Sequence, residues 1–95
     1  MISRSEAAQL VRNEIEGFDC VLLEEPIAEG AFGWVFGYQS AKFIESGSFS
    51  DALFGNAPFL VERETGRLHV LGTARPAQFY VDNFIKSGDP HRANR

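Results

Sequence analysis

Cysteine is nearly absent from this sequence. Cys20 stands alone among 95 residues, which excludes an intrachain disulfide and any zinc site built from several thiolates. Histidine is scarce as well, with only His69 and His91. No run approaches the roughly 20 apolar residues that cross a bilayer, and the amino terminus carries no apolar secretory stretch, so a cytoplasmic protein without membrane contact is expected. Basic side chains are missing between Arg12 and Lys42, where Glu14, Glu16, Asp19, Glu24, Glu25 and Glu29 all fall. Residues 1–41 hold two basic and seven acidic side chains, whereas 42–95 hold seven basic and six acidic. An acidic half disfavours nucleic acid and favours basic partners.

What is present is apolar. The 44 % hydrophobic content, with nine Phe and one Trp, exceeds what disordered chains carry. One domain over 1–95 is expected, with 88–95 as a flexible tail. Ser3 and Glu6 have the spacing of a capping box, and Ala7, Ala8, Val11 and Ile15 recur on one helical face, so a helix over about 4–16 is expected, ending at Gly17. Phe18 to Glu25 reads as a strand stopped by Pro26. Ile27 to Phe32 reads as a reversal. Gly33 to Gln39 reads as a second strand whose Trp34, Phe36 and Tyr38 share one face.

Residues 40–57 read as an irregular connection whose Phe43, Phe49, Leu53 and Phe54 either cap the core or meet a partner. Phe59–Arg63 and Leu68–Leu71 form a hairpin turning at Gly66. Phe59 and Val61 lie on one face, as do Leu68 and Val70, and His69 between them reads as solvent-facing. Thr73 caps, and Pro76 opens, a last helix with Ala77, Tyr80, Val81, Phe84 and Ile85 as its stripe. Grouped strands flanked by helices predict an α+β fold: an antiparallel sheet of about four strands with the amino-terminal and carboxy-terminal helices packed on one face.

Catalytic constellations do not assemble. Cys20 lies in the apolar run Cys20-Val21-Leu22-Leu23, where a thiolate is disfavoured, so a Cys20–His69 nucleophile and base pair is the weaker reading beside a small hydrophobe. Glu24 and Glu25, adjacent in a strand, point to opposite faces. Glu62 and Glu64 flank Arg63 and read as surface salt bridging. The glycines of "EGAFGWVFG" lead into a strand, not a phosphate-binding helix. No enzyme, metal or cofactor is implied, and binding is the function left. From charge and apolar content, the contact face combines Glu24, Glu25 and Glu29 with Phe49, Asp51 and Phe54.

The run Gly55-Asn56-Ala57-Pro58-Phe59-Leu60-Val61, followed by Thr65-Gly66, by Leu71-Gly72-Thr73-Ala74-Arg75-Pro76 and by Tyr80, resembles the immunity protein 35 family, also called the YrhB domain. Trp34 in its glycine-flanked strand looks like that family's aromatic strand. The resemblance runs from the first helix to about Lys86. It implies a small cytoplasmic α+β protein, encoded beside a bacterial polymorphic toxin, that binds the cognate toxin domain and neutralises it without catalysis. One branch of the family is instead described as chaperone-like, so a module that holds partly unfolded chains is the alternative.

Overall fold

The structure, a computed structural model, describes residues 1–48 and 57–92. The first helix, α1 (Arg4–Glu14), starts where the capping box places it. The Glu6 backbone N–H donates to Ser3 Oγ (3.1 Å), and the Ser3 N–H donates back to Glu6 Oε1 (2.9 Å). Hydrogen bonding to the carboxylate from Ser3, by its backbone N–H first and its hydroxyl second, holds the Glu6 carboxyl below its ordinary value of 4.5. A lowered folded-state pKa means that the stabilisation is complete above the unfolded value and disappears as pH falls through the folded one. Glu6→Gln is therefore expected to melt below the parent at neutral pH, with the difference shrinking on acidification; thermal melts across the acid range check this.

The two arms of a long hairpin follow. In one arm are β1 (Cys20–Leu22) and β2 (Ala28–Gly30); in the other are β3 (Gly33–Phe36) and β4 (Tyr38–Ser40). β2 pairs antiparallel with β3, and β1 with β4. Leu22 faces Tyr38 and Ala28 faces Val35, so Leu23 to Ile27 run against only Phe36 and Gly37. The Leu23 N–H donates to Gly37 O (3.0 Å) and the Ile27 N–H to Val35 O (2.7 Å), which expels Glu24, Glu25 and Pro26 as a bulge. Pro26 has no ladder donor to lose, so the bulge costs little there. The expected strand over 18–25 thus shrinks to three residues, the reversal at 27–32 contains β2, and the strand at 33–39 breaks at Gly37.

The segment read as irregular contains a short helix, α2 (Ala41–Ser46), with Ser40 Oγ accepting from the Phe43 N–H (3.4 Å). Six residues are too few to display an apolar period, so cap chemistry was its sole signature. β5 (Phe59–Glu62) and β6 (Leu68–Val70) form the expected second hairpin, turning where Gly66 has φ 78°. The main sheet runs β2-β3-β5-β6, antiparallel throughout, beside the two-stranded β1-β4 ladder.

The α+β class and the four-stranded antiparallel sheet agree with expectation; the layering does not. Trp34, Phe36, Phe59 and Val61 pack with Ala7, Ala8, Val11 and Ile15 of α1. Val35 and Leu60 instead pack with Leu71, Tyr80 and Val81 of the last helix, α3 (Ala77–Ser87). The helices therefore cover opposite faces. Trp34-Val35-Phe36 and Phe59-Leu60-Val61 are unbroken apolar runs, and an unbroken run needs cover on both sides. The helix start also differs: Pro76, not Thr73, holds the cap position, without a side-chain cap bond. Beyond Gly88 the chain docks. Pro90 is fully buried, its carbonyl accepting from Asn83 Nδ2 (3.0 Å), and His91 Nε2 lies 2.6 Å from Val70 O.

Candidate functional site

The bulge presents Glu24 and Glu25 toward α1. Arg12 pairs with the Glu24 carboxylate, while Arg4 Nη2 donates to the Glu24 carbonyl (3.3 Å) and lies 3.8 Å from Glu25 Oε1. Their placement in a bulge, not a strand, replaces the expected opposite-face geometry. Exposed ion pairs of this kind contribute about 0 to 1 kcal/mol. Glu29 stands opposite Trp34 on the edge strand β2, and among the described residues no hydrogen bond or ion pair joins it to Glu24 or Glu25. Phe49, Asp51 and Phe54 lie outside the described residues.

Cys20 and His69 are not brought together. Cys20 packs toward the α1 core, whereas His69 sits on the α3 face, its ring 5.2 Å from that of Phe84. His69 Nε2 is 2.5 Å from Glu62 Oε2, with both side chains mostly enclosed. This corrects the solvent-facing reading: Leu60 directly opposite His69 belongs to the α3 core, and Phe84 closes over the ring. It also gives Glu62 a histidine partner instead of Arg63, whose guanidinium donates to Gly30 O (2.9 Å from Nη2) and lies 4.3 Å over the Trp34 ring. His69→Ala is expected to lower stability by about 1 to 2 kcal/mol, because a partly buried carboxylate loses its principal partner. Urea unfolding of the single variants and of His69→Ala/Glu62→Gln together measures the coupling.

At the end of the molecule where α1 stops, the chain turns back into β1 through Ile15–Asp19 and leaves an apolar groove of about 770 Å³. Ile15, Phe18, Cys20, Tyr38, Phe59 and Val70 line it, and Glu14 and Asp19 stand among them. The Tyr38 and Phe59 rings lie 5.8 Å apart. Burial first, and the nearby Cys20 second, raise the Tyr38 phenol above 10, so the hydroxyl is neutral at physiological pH and the groove wall carries no phenolate. Phe18 is 71 % exposed and Val70 55 % exposed. The pattern reading missed both. Val70 shares the α1 face with Leu68, but the helix ends before reaching it; Phe18 follows Gly17 in the turn, where no period reports direction. A second groove, about 530 Å³, runs between β2 and α3 over Ala28, Phe32, Val81, Phe84 and Ile85.

Both grooves have apolar floors, the kind of concavity in which apolar side chains can be buried. No helix among the described residues is long and apolar enough to cross a membrane. A family model described as Immunity protein 35 matches residues 5–90. Uncharacterized protein YrhB of Escherichia coli (strain K12) is 38 % identical over 52 residues, 55 % of this chain and 55 % of that protein. The match thus spans about half the length of this curated relative. No solved structure matches the chain.

Proposed function

The chain belongs to the immunity protein 35 family, and we propose that it binds a cognate toxin domain in the cytoplasm of the producing cell and holds it inactive by occupation, without catalysis. The observation that carries this reading is the apolar groove beside the end of α1, which leaves Phe18 and Val70 in water with carboxylates at its border. A large exposed apolar surface rimmed by polar groups marks an interaction site. Glu24 and Glu25 of the bulge already face Arg12 and Arg4, so the negative charge at this groove comes from Glu14 and Asp19, which adds association rate more than affinity.

Co-expression tests the reading. Cells making the toxin domain encoded beside this chain are expected to stop growing, and to recover when this chain is supplied together with it. Failure of protection together with absence of a complex between the purified proteins would contradict it. Exposed Ile27, Ile44 and Ile85, scattered away from the groove, favour a second reading, a holder of partly unfolded chains. That reading requires suppression of thermal aggregation of unrelated proteins at equal molar ratio, with no preference for the toxin.

A further inference from the structure

We propose that the groove at the end of α1 is the toxin-binding site, and that it takes a toxin segment presenting a large aliphatic or aromatic side chain flanked by lysine or arginine. This rests on the neutralisation reading and names the partner chemistry of that site.

The floor is apolar, formed by Ile15, Tyr38, Phe59 and Val70, and Phe18 projects from the turn beside it. Leaving Phe18 and Val70 in water gains the isolated fold nothing, whereas covering them with a partner's side chain removes apolar surface from solvent. The charge at the rim supplies the flanking residues. Glu24 and Glu25 face arginines of α1, but Glu14 and Asp19 have no ion-pair partner among the described residues. Glu14 moreover closes α1, with Glu16 two residues beyond. Carboxylates at a helix carboxy terminus oppose the backbone dipole, so helix stability does not account for them. A cation brought to this rim relieves that repulsion and gains two unpaired carboxylates. The groove along α3 lacks this arrangement, with Glu29 as its single carboxylate among the described residues.

Cys20, the one cysteine of the chain, lines the groove and is half-buried there, which makes it a native reporter. The purified toxin domain encoded beside this chain is mixed with it, iodoacetamide is added, and the alkylation rate of the Cys20 peptide is followed by mass spectrometry. Binding in the groove is expected to slow alkylation roughly tenfold or more at saturating toxin, since only the free fraction reacts. Phe18→Ser, at an exposed position, is expected to fold normally and to weaken the complex by at least about 30-fold. Glu14→Lys with Asp19→Lys is expected to slow association about tenfold at low salt, with the difference fading as salt rises.

A complex in which Cys20 reacts at the free-chain rate and Phe18→Ser binds like the parent would overturn the groove assignment and leave neutralisation standing. Absence of any complex overturns both. Protection of Cys20 that grows with this chain's own concentration, without toxin, would give the groove to a second copy and contradict the proposal. Equal protection by a heat-denatured unrelated protein would contradict it in favour of the chain-holding reading.

Discussion

Gly33→Ala is expected to destabilise the protein by about 3 kcal/mol or more, a large part of the roughly 5 to 15 kcal/mol that holds a small domain together. Gly33 has φ 137°, a conformation that L side chains rarely adopt; holding one there costs on the order of 1 to 3 kcal/mol. Sterics add to this. A Cβ at this position falls 1.9 Å from Val61 O and 2.9 Å from Arg63 N, both backbone atoms of the neighbouring strand and its turn. No side-chain rotation relieves such a contact, so β3 and β5 must part where Gly33 faces Glu62. The Arg63 N–H bond to Phe32 O (3.0 Å) lies beside that point. The melting temperature is expected to fall by about 12 °C or more. A variant melting within about 3 °C of the parent would show that the two strands do not approach this closely.

Trp34→Ala is expected to cost about 3 to 5 kcal/mol, the usual loss when a buried indole is truncated and the site cannot collapse. Trp34 is 1 % exposed and sits at the centre of the α1 face, among Ala7, Val11 and Val61. Arg63 lies over its ring while donating to Gly30 O, so the indole also anchors the link between the sheet and the β2–β3 turn. Trp34→Phe separates shape from polarity. Its indole Nε1 is buried without a partner among the described residues, and removing an unsatisfied donor returns part of the about 1 to 3 kcal/mol that such a group costs. Trp34→Phe is therefore expected to lose no more than about half of what Trp34→Ala loses. Chemical denaturation of the two variants with unchanged slope checks this; equal losses would deny the penalty on the buried N–H.

Local chemistry made much of the fold legible. Ser3 and Glu6 announced α1, and Gly66 between two apolar runs announced the second hairpin, because each signal lies within a few residues. Alternation in β3 and β5 points to a single covered face, whereas Val35 and Leu60, set between apolar neighbours, demand a helix on each side. The bulge at Glu24–Pro26 was hidden because register is a property of two strands, and only the pairing with β4 and β3 reveals three residues too many. At the site, the acidic half of the sequence was visible, but which acids are already neutralised was not. Arg4 and Arg12 reach Glu24 and Glu25 across the turn from α1, while Glu14 and Asp19 at the groove have no ion-pair partner among the described residues. Sequence spacing holds no record of where a helix axis ends relative to a sheet, and that end makes the groove.

Titrating the activity of the purified toxin domain against this chain tests the central claim most directly. Neutralisation by occupation predicts that activity falls in proportion to added protein and vanishes near one equivalent, with Phe18→Ser shifting the curve to higher concentration. Activity unchanged at a large excess of this chain, or abolished by a small fraction of an equivalent as a catalyst would do, would contradict it.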